Sequence, residues 1–210
     1  MKLSVHALYS NILLMAMLCI SSCNVVPSLE EVSDPGQKNI PASTTSPVLA
    51  PAVYTIKKGE QYSTNAIKFV SASSMRFEAT FDQSAVYTTA AASNQADINK
   101  LYGLSDGNTH HHTNSARFGW RWFNNRLEIH AYTYRNMARM SELVDIVELN
   151  KPYTYEIRLE DNKYIFVLND KRVELPRAFT GKGEGYMLYP YFGGDEVAPH
   201  DIQIKIKDLK

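Results

Sequence analysis

From Val53 onward, large apolar residues recur at every second position in short runs. Met75–Phe81, Ala116–Trp122, Arg126–Tyr134, Tyr153–Leu159, Lys163–Leu168, Tyr186–Phe192 and Asp201–Leu209 all alternate in this way. A period of two is that of a half-buried strand, whose successive side chains point to opposite faces. Turn-forming clusters separate the runs: "NN", "RN", "EDN", "NDK", "GKGEG" and "GGDE". Only Ala96–Leu101 hints at a short helix. The pattern predicts an all-β domain, an antiparallel two-sheet β-sandwich. In Asp201–Leu209 the isoleucines Ile202, Ile204 and Ile206 face one way and Gln203, Lys205 and Lys207 the other, as in a sheet with one wet face.

The stretch Arg117–Asn136, "RFGWRWFNNRLEIHAYTYRN", allows a register to be counted. Asparagine tolerates positive φ, so Asn124–Asn125 suits a two-residue hairpin loop. Phe123 then pairs with Arg126, Trp122 with Leu127, Trp120 with Ile129 and Phe118 with Ala131, which sets out a core face. On the other face Arg121 meets Glu128, Gly119 meets His130 and Arg117 meets Tyr132. An Arg–Glu pair emerging from the count supports it, because facing opposite charges contribute a few tenths to about 1 kcal/mol. A slip of one residue would turn the tryptophans to solvent. At the next turn, near Arg135–Asn136, a two-residue loop would send Glu142 to the core side, so a bulge or longer loop is expected there.

The polar face of this hairpin carries Arg117, Arg121, Glu128, His130, Tyr132 and Tyr134, with Gly119 expected to leave space above His130. Arginine offers a planar fork of donors, tyrosine a stacking face with a polar tip, and histidine an acid, base or donor. A sugar ring has an apolar face and a rim of hydroxyls, and this mixture suits it. The same residues could equally bond one another and fill the gap over a twisted sheet.

The start of the chain is not read as part of the fold. Residues 1–22 have a basic start at Lys2, an apolar run Ile12–Ile20 and small residues before Cys23, the layout of a secretory signal. Ile20-Ser21-Ser22-Cys23 resembles the bacterial lipobox, although Ile20 stands where leucine is usual. That resemblance implies a lipidated Cys23 and attachment to the cell envelope. Asn24 after it, rather than aspartate, leans the resemblance toward the outer membrane. Several acyl chains anchor durably where one does not. Cys19 leaves with the signal, so no internal disulfide is expected. Asn24–Ala52 is rich in Pro, Ser and Thr and reads as a disordered tether, reaching about 30 Å as a coil. Residues 53–210 make the folded domain. Without Lys2 the balance is 21 basic against 22 acidic residues, which gives no argument for nucleic acid.

"NSARFGWRW" and "LYPYFGGDEVAPHDIQIKIK" resemble a group of bacterial lipoproteins of the concanavalin A-like lectin/glucanase superfamily, over roughly Tyr54–Lys210. The resemblance implies a jelly roll with any ligand groove on its concave side. It also implies a choice among lectin, glycoside hydrolase and polysaccharide lyase that the fold cannot make. A glucanase site needs two carboxylates on one strand face. Glu142, Asp145 and Glu148 in "ELVDIVE" are spaced by three, which in a regular strand puts Asp145 opposite both glutamates. A lyase site needs a cation for the uronate carboxylate, a base and an acid, for which Arg121, His130 and Tyr132 are the right types.

Two further clusters could hold a metal. His110–His112 either lines a groove rim or binds a cation; on a strand only His110 and His112 would share a side. Asp195, Glu196 and Asp201 are oxygen ligands of the kind calcium takes, or else cap an acidic turn. No other cofactor is expected. The sequence therefore reads as a membrane-anchored carbohydrate-binding lipoprotein, with a lyase, a hydrolase or a non-catalytic scaffold as the alternatives.

Overall fold

The strands fall largely where the alternation puts them. The computed structural model of the protein describes residues 50–210; the signal segment, Cys23 and the tether as far as residue 49 lie outside the described residues. The described strands form two six-stranded sheets. One runs in the order β1 (Ala52–Ile56), β12 (Ile202–Leu209), β3 (Ser74–Phe81), β8 (Tyr153–Glu160), β9 (Lys163–Leu168) and β10 (Lys171–Pro176). The other runs β2 (Phe69–Ala72), β11 (Gly183–Leu188), β4 (Asn99–Ser105), β5 (Ser115–Phe123), β6 (Arg126–Arg135) and β7 (Ala138–Val147). Neighbouring strands are antiparallel throughout. No helix among the described residues is long and apolar enough to cross a membrane.

The core lies between the two sheets. Ile202, Ile204 and Ile206 of β12 are buried while Gln203 and Lys205 are exposed. Phe77 of β3 stacks on Tyr155 of β8, with ring centres 5.2 Å apart and planes 4° from parallel. Phe118 of β5 meets Tyr155 and Phe166 edge-on, each at 5.1 Å, so this one ring joins the sheets. Full burial of such a side chain contributes roughly 1.5–3 kcal/mol, with a further increment for favourable ring geometry.

The β5–β6 hairpin has the counted register, from Phe123↔Arg126 outward to Ser115↔Tyr134. Asn124 (φ 50°) and Asn125 (φ 57°) both adopt positive φ, the signature of a type I′ turn. The next turn differs from expectation. It is also a two-residue loop, Asn136 (φ 50°) and Met137 (φ 69°), and the irregularity sits farther up β7, at Val144. Glu142 does pair with Ala131 on the core side, and it remains exposed because β7 is the edge strand and leaves that flank open.

The short helix is also displaced. A 3-10 turn covers Ala92–Ala96, and Leu101 lies within β4, where it is wholly buried. Tyr189–Phe192, expected to extend a strand, instead leaves the sheet after Leu188 and makes only isolated bridges at Tyr191. A buried ion pair closes one end of the sandwich. Arg177 Nε donates to Asp106 Oδ2 at 2.7 Å, the Tyr164 hydroxyl donates to the same oxygen at 2.7 Å, and Arg177 Nη1 reaches the carbonyls of Glu160 and Gly181.

Candidate functional site

The polar face of the β5–β6 hairpin divides into two environments. At the turn end, Arg121 Nε donates to Glu128 Oε2 at 2.7 Å and Arg126 Nε to Glu128 Oε1 at 3.0 Å. Arg121 Nη1 also donates to the carbonyl of Ala96 at 2.6 Å, which ties down the 92–98 segment. Burial pushes the Glu128 carboxyl up, but the hydrogen bonds and charges of Arg121 and Arg126 outweigh it and hold it below the usual range. His130 Nε2 stands 3.5 Å from Glu128 Oε2, and burial with the Arg121 charge lowers its pKa. The expected space above His130 is absent, because a side chain on Gly119 would strike Ile98 at 2.4 Å. Glu128 and His130 are 2% and 5% exposed. Arg121 and Glu128 therefore bond each other beside a buried His130 whose Nε2 makes no hydrogen bond among the described residues, and the predicted catalytic set Arg121, His130 and Tyr132 is not brought together at an open site.

The other end of the face is open. Arg117, Tyr132 and Tyr134 line a cleft together with His112, Tyr191 and Asp195, about 290 Å³ in volume. A second cleft of similar size shares Arg117, His111 and Tyr191 and continues past Tyr186 to Tyr62 and Ile67. Gly103 pairs with Arg117 across β4–β5; a side chain there would lie 2.5 Å from the Arg117 Cβ, so glycine makes room for the arginine. Tyr132 is flanked by two cations, Lys100 at 5.2 Å and Arg117 at 5.4 Å from the ring centre. Lys100 also lies 5.7 Å from the Tyr191 ring.

Arg117 is 5% exposed, and its Nε has no hydrogen-bond partner among the described residues. It makes no ion pair with a carboxylate among the described residues. Burial lowers its pKa, while the neighbouring tyrosines Tyr132, Tyr134, Tyr186 and Tyr191 act the other way. Burial and the Arg117 charge bring Lys100 down to about 8. Burial, Arg117 and the adjacent histidines bring His111 down to about 4. Burial raises the Tyr132 hydroxyl to about 12, so it stays protonated at neutral pH. The cleft thus presents a desolvated cation, a second cation, a neutral imidazole and several phenols.

Lys100, His111, His112, Tyr186 and Tyr191 complete this lining; of these the sequence reading singled out only the histidine run, as a groove rim or a cation site. Lys100 is aimed at the cleft by the register shift in β4 between Lys100 and Tyr102. The alternation around Tyr186–Phe192 marked a strand but not that Tyr191 folds back over the sheet.

The other carboxylates do not assemble a site. The bulge at Val144 reverses the expected parity, so Glu142 and Asp145 both lie on the core-side face of β7, opposite Ala131 and Ile129. Asp145 accepts from Ile146 N and Asn169 Nδ2, away from the cleft, and Glu148 pairs with Lys151. The predicted calcium ligands are likewise separated. Glu196 accepts from the amides of Ala90 and Ala91 and from Asn94 Nδ2, which lowers its pKa. Asp201 pairs with Lys57 Nζ at 2.7 Å and accepts from Lys58 N, and Asp195 alone borders the cleft. These oxygens do not converge on a calcium-sized point.

No family model and no curated protein matches the chain. Among solved structures it is similar to the alginate lyase AlyC3, with TM-score 0.50 and 11% identity over 76% of this chain and 74% of that one. It is also similar to SCLam, a non-specific endo-β-1,3(4)-glucanase from family GH16, with TM-score 0.49 and 9% identity over 74% and 69% of the two chains. The carbohydrate-binding module CBM66 from Bacillus subtilis aligns at TM-score 0.34 and 13% identity, over 75% of this chain and 93% of that one. At such identities the likeness to the alginate lyase shows the fold alone, a two-sheet jelly roll.

Proposed function

We propose that this domain binds an acidic polysaccharide in the cleft around Arg117, with the guanidinium taking a ligand carboxylate. One observation carries the reading: a nearly fully buried arginine whose Nε–H and charge find no partner among the described residues, at the floor of an open, tyrosine-lined cleft. Burying an unpaired cation is costly, and a planar two-oxygen anion from outside would satisfy it in bidentate geometry. Lys100 adds a second positive charge, and Tyr134, Tyr186 and Tyr191 offer flat faces to sugar rings and hydroxyls to their rims. The jelly-roll fold it shares with an alginate lyase fits a polyuronate ligand.

A β-elimination at the same site is the second reading. Arg117 would neutralise the uronate carboxylate, the neutral His111 imidazole would accept the C5 proton, and the protonated Tyr132 hydroxyl would donate to the leaving oxygen. Hydrolysis by two carboxylates is less well served, because the clefts described offer Asp195 as their acidic wall residue and no second one beside it.

Calorimetric titration with polyuronate oligosaccharides and with neutral β-glucan oligosaccharides tests the proposal. Saturable binding of the acidic series alone, abolished in Arg117→Ala, is expected; equal binding of both series, or none, overturns it. Absorbance of unsaturated product on incubation with polyuronates separates the lyase from the binding module. Lipid attachment at Cys23, with residues 24–52 as spacer, is part of the same proposal and rests on the Ile20-Ser21-Ser22-Cys23 pattern. Detergent-phase partitioning of the parent but not of Cys23→Ala is the expected result.

A further inference from the structure

We propose that His110, His111 and His112 form a three-imidazole site for a zinc-class divalent cation at the rim of the Arg117 cleft. Adjacent residues on a strand point in alternate directions, which would separate these rings. Here the backbone is not a strand. Thr113 N and Asn114 N both donate to the carbonyl of His110, at 2.7 and 3.2 Å, winding the segment into a tight turn. The turn gathers the three rings, with centroids 4.2, 4.4 and 5.2 Å apart. One ring nitrogen of each lies within 4.8 Å of the others, the only such grouping of histidine, cysteine and acidic side chains among the described residues.

The arrangement has the features a metal site needs beyond its ligands. The turn is pinned before any ion arrives: Ser115 Oγ donates to the His111 carbonyl at 2.7 Å, Asn136 N donates to Asn114 Oδ1 and Met137 N to the Thr113 carbonyl. The Tyr186 hydroxyl is 3.0 Å from His111 Nδ1 and accepts from His111 N at 3.1 Å. That contact fixes the ring and leaves Nε2 free, the outer-shell support that metal-bound histidines ordinarily have. His110 and His112 are exposed, and His110 Nδ1 accepts from His112 N at 3.3 Å, so small side-chain rotations would bring the remaining nitrogens to the spacing that zinc–nitrogen bonds of about 2.0–2.1 Å require. Imidazole nitrogens suit zinc, copper and nickel rather than calcium or magnesium. Three such ligands leave one position open, and His111 and His112 both border the cleft, so that position faces it. The site does not depend on the polyuronate reading.

The test is calorimetric titration of Zn2+ into the tag-free full chain, repeated with His112→Ala, His111→Ala and the urea-unfolded parent. One-to-one binding is expected, weakened at least about tenfold in each variant and in the unfolded chain. His112 is exposed, so His112→Ala keeps the test valid should His111→Ala misfold through loss of its Tyr186 bond. A Co2+ replacement should show the intense visible bands of a four-coordinate ion. Absence of saturable one-to-one uptake, uptake unchanged in His112→Ala, or equal affinity in the unfolded chain would each overturn the proposal.

Discussion

Arg117 and Arg121 stand four residues apart on the same face of β5, and among the described residues only Arg121 meets a carboxylate. Register decides the difference. Arg121 is placed opposite Glu128, whereas Arg117 is placed opposite Tyr132, whose ring it flanks at 5.4 Å. One arginine is consumed in holding the 92–98 segment; the other lines the cleft without a carboxylate partner among the described residues.

Opposite consequences are therefore expected from removing the two. Arg117→Ala should lower affinity for an acidic oligosaccharide by tenfold or more, consistent with about 1.5–3 kcal/mol for hydrogen bonds to a charged group, with no loss of thermal stability. Arg121→Ala should cost about 1.5 kcal/mol of stability, because Glu128 loses its shorter charged hydrogen bond but keeps Arg126. Denaturant unfolding and oligosaccharide titration of both variants check this, and Arg117→Lys should recover only part of the binding, lacking the fork.

Binding should also depend on pH through Lys100. Burial and the Arg117 charge bring its ammonium to about 8, below the usual value for lysine. Below that pH the side chain is charged and attracts the anion; as pH rises past it the charge is lost and affinity should fall. Titrations at neutral and at alkaline pH should show this decline in the parent, and a flatter profile in Lys100→Met. For stability the sign is reversed: a lysine depressed by folding penalises the folded state at low pH, so its contribution improves as pH rises from about 8 toward the unfolded value of roughly 10.4.

At the closed end of the sandwich, Arg177 and Asp106 are 1% and 0% exposed. Arg177→Met should destabilise by about 3–5 kcal/mol, since it leaves the Asp106 carboxylate buried with the Tyr164 hydroxyl and the Gly107 amide. Replacing both, as Asp106→Leu with Arg177→Met, should cost less than the single change, and a double-mutant unfolding cycle measures the difference.

Met137 holds φ 69° in the β6–β7 turn with its side chain exposed. Few non-glycine residues tolerate that conformation, and relieving it should outweigh the extra chain entropy of glycine. Met137→Gly is expected to raise stability by about 0.5–1 kcal/mol, read from the shift in denaturant midpoint at constant slope.

Much of the architecture was legible in the residues because sheet physics is local. A period of two with turn residues between runs specifies strands, and two asparagines that tolerate positive φ specified the β5–β6 register pair by pair. Arg117, Tyr132 and Tyr134, which line the cleft, could be placed on one strand face for the same reason. What alternation cannot carry is which segment covers a face. Ile98 sits over Gly119 and turns Arg121, Glu128 and His130 into structure, a contact spanning two strands and a loop. Lys100, Tyr186 and Tyr191 reach the cleft from β4, β11 and the stretch after it, brought there by sheet order and by a register shift. The bulge at Val144 likewise moved Asp145 onto the face of Glu142. Local hydrogen bonding and side-chain periodicity were set by the sequence; long-range packing alone decided which polar groups were buried together and which were left facing open space.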